Sequence, residues 1–326
     1  MNSESKTFSV FPTGLLLLLL ISLTACFSIS IEDRSETDPI SIPSKLDPAT
    51  SDLLHFDLKY PPAIGDMGFQ SNGANLNAIV YVAQGRGPHP TVLLLHGFPG
   101  NERNLDLAQA IRRAGWNAVF FHYRGAWGSG GTFSFLHVIE DVGEVVRAIH
   151  QPTFAETHRI DVDRLALVGH SMGGFASLVA GAEIDAVSCI VSIAGANLGG
   201  LARTITEEPE VAAGFAASVD GWSGPIKGPG GKALVEEIAQ HADRFDTTSH
   251  IDQLARKKLL LIAGARDVVT PAGMHHAPLV EALERAGADS LEASVFEFAD
   301  HSFSGQRIAL ARLVTNWLRR ECMAAE

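Results

Sequence analysis

Three cysteines in 326 residues leave little room for sulfur chemistry. Cys26, Cys189 and Cys322 are too few and too scattered for a disulfide framework, and no two have the spacing of a zinc site. Cys189 sits in the apolar run AVSCIVSIAGA, where a small buried hydrophobe is the expected role. Positive charge is also short: 25 Lys and Arg against 37 Asp and Glu give a net charge of -12. No Lys/Arg cluster stands out, and a phosphate backbone is held by such clusters, so nucleic acid is not an expected partner. The leading apolar run, from about Gly14 to Leu23, falls short of the ~20 residues of a membrane-spanning helix. Internal repeats are absent as well. What remains is an ordinary globular composition, 46% hydrophobic and 19% charged, with enough apolar material for a large core.

The run Gly14 to Leu23 reads as the apolar core of a signal peptide, and it ends in Leu23-Thr24-Ala25-Cys26. That ending resembles the lipobox of bacterial lipoproteins. The resemblance implies removal of residues 1–25, a lipid on Cys26 that holds the chain to a membrane, and a place in the bacterial cell envelope; simple secretion is the alternative. Glu4 and Lys6 cancel, so cleavage leaves the net charge unchanged. The following polar, proline-punctuated sequence predicts a flexible tether over 26–52 and one folded domain over 53–322.

Within that domain, short β-branched or leucine-rich runs alternate with amphipathic ones, the pattern of an α/β domain with a mostly parallel sheet flanked by helices. Strands are expected at 77–83, 91–97, 117–123, 164–170, 187–195, 258–264 and 294–300, and helices at 105–115, 137–150, 172–183, 275–287 and 306–321. The alternation breaks once. Between Ala196 and about Leu254 the chain is rich in Gly, Ala and charge, with two amphipathic fragments, too long for a plain loop. It predicts a small helical cap insertion over about 196–254, covering one end of the sheet.

Gly169-His170-Ser171-Met172-Gly173 fits G-x-S-x-G at a strand-to-helix junction, where a sharp turn exposes the serine. Side chains at Gly169 or Gly173 would crowd that turn. A serine hydroxyl is a weak nucleophile at neutral pH and needs a histidine base oriented by a carboxylate. His301, in VFEFADHSFS, follows a strand on the same carboxyl edge, and Asp267, in LLLIAGARDVVTP, follows another. Asp300 competes for the carboxylate role, but adjacent side chains rarely face each other, so a turn or capping role suits it better. Backbone N–H groups of Phe98, in LLLHGFPGNERN, and of Met172 are the candidate oxyanion donors. His96, at a strand end, reads as structural. The glycine-rich loop HYRGAWGSGGTF (122–133) lacks the lysine of a phosphate-binding loop and offers Tyr123 or Trp127 as a pocket rim, or else a flexible connection.

H-G after an early strand, G-H-S-M-G-G, G-x-R-D and D-H-S-F occur in that order. Together they resemble the α/β-hydrolase superfamily over everything after the tether, and YRGAWGSGGTFS and LLLIAGARDVVTP are similar to its esterase and prolyl-oligopeptidase-like branches. The resemblance implies a serine hydrolase with a Ser171, Asp267, His301 triad, no metal and no organic cofactor, acting on a small-molecule ester or peptide. The sequence leaves the oligomeric state open. A peptidase is the runner-up; an aminopeptidase could use Glu207, Glu208 or Glu210 to hold an amine, although a charge run is usually a solvated face. A non-catalytic binding lipoprotein is the rival from another class.

Overall fold

A computed structural model describes residues 46–221 and 224–323. The signal peptide, Cys26 and most of the expected tether lie outside the described residues. The chain enters through a turn in which Thr50 and Ser51 donate to the Asp47 carbonyl. Asp47 pairs with Arg312 at 2.6 Å, and Arg113 Nε donates to the Pro48 carbonyl at 2.7 Å. The last residues of the expected tether are therefore fixed to the domain.

Eight strands form one sheet: β1 (Ala63–Ser71), β2 (Ala74–Val82), β3 (His89–Leu95), β4 (Asn117–Phe121), β5 (Ile160–His170), β6 (Val187–Ile193), β7 (Lys258–Gly264) and β8 (Leu291–Phe296), in spatial order β1-β2-β4-β3-β5-β6-β7-β8. β1 and β2 form a hairpin whose turn, Asn72-Gly73, takes φ values of 46° and 82°, as a two-residue connection with right-handed strand twist requires. β2 joins β4 antiparallel, and every later pairing is parallel. β3 and β4 are buried at every position, which is why they read as unbroken apolar runs rather than alternating ones.

The helices are α1 (Leu105–Arg113), α2 (Phe135–Ile149), α3 (Pro152–His158), α4 (Met172–Glu183), α5 (Leu198–Glu207), α6 (Pro209–Asp220), α7 (Gly231–Gln240), α8 (Ala242–Phe245), α9 (Ile251–Leu254), α10 (Ala272–His275), α11 (Ala277–Arg285) and α12 (Arg307–Trp317). α1 and α12 cover one face of the sheet, while α2, α4 and α11 pack on the other. In α2, Val138, Val142, Val145 and Ile149 recur three or four apart and all reach the core, each burial stabilising by up to ~2 kcal/mol. Ser134 accepts from the His137 N–H and starts that helix.

Two elements and one bond were not expected. β1 and α3 are additional, and Cys189 of β6 forms a disulfide with Cys322, 133 positions away, at a Cα separation of 6.3 Å. The reading of Cys189 as a plain hydrophobe is thereby corrected. It is buried as expected, but the single π-type turn after α12 (Leu318–Cys322) brings the partner thiol to it. The 196–254 segment is helical, comprising α5 to α9 with a short 3-10 turn at Thr247–His250. A short stretch within it, between α6 and α7, seats on the glycine-rich loop, where the Trp127 N–H donates to the Pro225 carbonyl and Lys227 exchanges backbone hydrogen bonds with Gly125 and Phe133.

Candidate active site

β5 ends at His170, and α4 begins at Met172, so a single residue makes the junction. That residue, Ser171, has φ 59° and ψ -119°, an uncommon conformation for a side chain with a Cβ. The surroundings hold it there. Its N–H donates to the Ile193 carbonyl at 2.9 Å, and its carbonyl accepts from Phe175 and Ala196 at 3.0 and 3.1 Å. A Cβ on Gly169 would run into the Gly173 carbonyl, and one on Gly173 into the Leu95 carbonyl, so strand, turn and helix close on each other only through glycine.

Ser171 Oγ donates to His301 Nε2 at 3.0 Å, and His301 Nδ1 donates to Asp267 Oδ2 at 2.8 Å. A carboxylate only accepts, so this second bond places the imidazole proton on Nδ1 and leaves Nε2 free to take one. Asp267 is fully buried in its side chain. Burial would raise its carboxyl, but hydrogen bonds from His301, the Thr270 N–H and the Thr270 hydroxyl outweigh it and hold the group well below the usual carboxylate range. The Val269 and Thr270 N–H groups reach Oδ1 at 2.8 and 2.9 Å, and the Thr270 hydroxyl lies 2.7 Å from Oδ2 and 3.0 Å from the Ala194 carbonyl. Asp300, by contrast, is exposed and accepts from the Ser304 N–H, a turn role.

Two supports were not foreseen. Thr270 is one; the spacing D-x-x-T after a strand is a local signal for it, since Asp accepts readily from N–H groups two and three residues on. The other is His170, whose Nε2 donates to the His301 carbonyl at 2.7 Å and so fixes the backbone of that residue. Burial pushes the His170 imidazole down to about 4, which keeps it neutral.

A cleft of about 170 Å³ opens over the serine, lined by Gly97 to Glu102 together with His170, Ser171, His301 and Ser302. Phe98 is therefore on the cleft wall, its ring packed on Phe133 and Phe135 at 5.1 and 5.8 Å. Met172 opens α4, where the first backbone N–H groups have no acceptor in the preceding turn. Tyr123 and Trp127 do not form the rim. Tyr123 is completely buried and donates to the His96 carbonyl, and Trp127 donates through Nε1 to the Pro99 carbonyl at 2.6 Å, bracing the 97–102 loop from behind. His96 is buried, donates through Nδ1 to the Gly97 carbonyl and is pushed down to about 3 by burial, in keeping with a structural role. Glu207, Glu208 and Glu210 are exposed, and none lines the cleft.

Residues 90–247 match the family model for the alpha/beta hydrolase fold. The chain has the α/β-hydrolase fold. Among solved hydrolase structures, ferulic acid-bound Est1E of Butyrivibrio proteoclasticus superposes with a TM-score of 0.63 at 17% identity, covering 78% of this chain and 98% of that one. An acylaminoacyl peptidase of Pyrococcus horikoshii gives 0.60 at 16% identity, over 82% of this chain and 43% of that one. A Pyrococcus furiosus esterase gives 0.56 at 16% identity, over 80% and 92%. Among curated proteins, an uncharacterized 31.7 kDa protein from the traX-finO intergenic region of Escherichia coli is 35% identical over 114 residues. That match spans 34% of this chain and 39% of the relative. No group of three or more His, Cys, Asp or Glu among the described residues is placed to hold a metal ion.

Proposed function

We propose that the protein is a serine hydrolase that cleaves carboxylic esters through an acyl-enzyme on Ser171. The observation that carries this reading is the continuous line from Ser171 Oγ through His301 to buried Asp267, at 3.0 and 2.8 Å. As Oγ attacks the ester carbonyl, its proton passes to His301 Nε2, and Asp267 stabilises the imidazolium that forms. N–H groups of Phe98 and Met172 are assigned to the developing oxyanion. His301 then returns the proton to the leaving alcohol. A water activated by the same imidazole releases the acid and regenerates Ser171.

The small cleft favours short acyl groups, and the esterase structures above are consistent with an ester. The exposed glutamates give no support to an amine-holding site of an aminopeptidase. A fluorophosphonate probe should label Ser171 in the wild-type protein and not in Ser171→Ala, and p-nitrophenyl acetate or butyrate should be turned over faster than long-chain esters or aminoacyl anilides. Labelling without turnover of any ester, or faster turnover of the anilides, overturns the ester assignment and leaves a peptidase.

Export and a lipid on Cys26 belong to the same reading. They are supported by Leu23-Thr24-Ala25-Cys26 and by the Cys189–Cys322 disulfide, a bond that persists in oxidising compartments and is rare in the cytosol. A diacylglyceryl group and an amino-terminal acyl chain together anchor a protein where one chain would hold it only reversibly.

A further inference from the structure

The stretch leading from the entry turn to β1 carries an apolar face that the chemistry at Ser171 does not use. Leu54, Phe56 and Leu58 are 65%, 60% and 89% exposed. Leu54 and Phe56 line one hollow, and Leu58 stands at the bend that follows. The backbone behind them is fixed. Asp57 N–H donates to Gln84 Oε1 at 2.9 Å, Gln84 Nε2 donates to the His55 carbonyl at 3.1 Å, and Asp57 Oδ1 accepts from the N–H groups of Lys59 and Tyr60. The apolar side chains are thus held outward by an ordered backbone. Arg112 and Arg113 line the same hollow as Leu54 and Phe56, Lys59 lies over the Tyr60 ring, and Arg86 follows Gly85, which donates to the Tyr60 carbonyl. These four cations outnumber Asp52 and Asp57 locally, in a chain whose net charge is -12.

We propose that this face docks on an anionic phospholipid bilayer. Exposed leucine and phenylalanine ringed by Arg and Lys suit the boundary between acyl chains and phosphates. The covalent route points the same way, and here the inference rests on the proposed lipid at Cys26: about 20 residues separate that cysteine from the entry turn, a chain that spans at most ~70 Å. A face tethered that close to a bilayer meets it at a high effective concentration, so modest intrinsic affinity is enough.

Docking fixes which way the hydrolase site points. Gln84 follows β2, which runs antiparallel to β4, and Arg113 closes α1 just ahead of β4, so the face lies at the amino edge of the parallel strands. Ser171 follows the carboxyl end of β5, whose 11 residues at ~3.3 Å each hold the two edges roughly 35 Å apart. The cleft is turned to the aqueous side, and the substrate class is water-soluble esters rather than lipids of the anchoring bilayer.

The test uses the mature lipidated chain on vesicles of phosphatidylethanolamine and phosphatidylglycerol with brominated acyl chains. In Phe56→Trp the added fluorescence should fall about twofold relative to unbrominated vesicles, while in Phe298→Trp, exposed at the carboxyl edge, it should not change. Equal quenching at both positions, or a tryptophan at 56 reached by aqueous iodide but not by bromolipid, overturns the docking. A tryptophan at 56 shielded from both quenchers overturns it in favour of a second copy of the chain. A chain that does not float with the vesicles overturns the lipid anchor together with this proposal, whereas a floating chain without quenching at 56 overturns the docking alone.

Discussion

Ser171 stands in a backbone conformation that costs on the order of 1–3 kcal/mol, repaid by the three backbone hydrogen bonds around it and by the glycines that let the turn close. Because that scaffold is backbone, Ser171→Ala should fold normally while kcat/KM for p-nitrophenyl acetate falls by at least ~10³-fold, and His301→Ala should match it. Asp267→Asn should cost ~10³-fold or more with little change in KM, because its partner loses the tautomer it needs. Thr270→Val should cost about tenfold in kcat and displace the acid limb of the pH–rate profile, whereas a merely structural role would lower thermal stability and leave that limb in place. The positions of Ser171, Asp267 and His301 are legible in the sequence because each follows a strand, and all parallel strands deliver their ends to one edge. His170 is not legible as a support, since its bond goes to a backbone carbonyl 131 positions away, and no side-chain pattern records such a bond.

At the level of elements, the 196–254 helices are held to one another through Asp246, which accepts from Asn197 Nδ2, Arg203 and Thr248. Burial would raise that carboxyl, but these bonds win and hold it at about 2. Its contribution is complete above pH ~4 and is lost as pH falls towards 2. Asp246→Ala should destabilise the domain by ~2–3 kcal/mol at neutral pH, measured by urea unfolding, and should change ester chain-length preference more than turnover of an acetyl ester. The sequence signals the cap by its break in periodicity, but the mixed composition of 196–254 hides how many helices it makes. β1 escapes a pattern reading because AIGDMGFQS carries two glycines and faces solvent at most of its positions as an edge strand. α3 buries no residue completely, so it offers no stripe to detect. The disulfide left no trace either, because a 133-residue separation has no characteristic spacing. Cys322→Ser, or reduction of the native protein, should lower stability by ~2–5 kcal/mol, seen as a lower urea midpoint.

For the whole molecule, acid is the weak direction. Burial pushes His96 down to about 3 and His122 and His170 down to about 4, from an ordinary value of 6.5. Each is neutral in the fold and takes up a proton on unfolding, so the stability they support is complete above pH 6.5 and drains away as pH falls through about 4. Unfolding near pH 5 should absorb two to three protons, a slope of ~3–4 kcal/mol per pH unit, and a urea midpoint that is flat between pH 5 and 7 would contradict this. The fold class was readable because alternating runs and four ordered motifs agree. Long-range charge was not: fully buried Asp141, which binds Arg124 at 2.6 Å and Ser71 at 2.5 Å, joins three separate elements without any local pattern. Asp47 and Cys322 give the two ends of the domain different mechanical characters. A pull on the amino-terminal chain loads the Asp47–Arg312 pair, then the Pro48 contact, then Gln84, in series, so these bonds break in succession while the sheet is unloaded. The last described turn, in contrast, is welded covalently to β6. Stretched from its amino-terminal side, the molecule should release roughly 60 Å of chain as a sacrificial leader, visible as an early low-force step, before β1 bears any load.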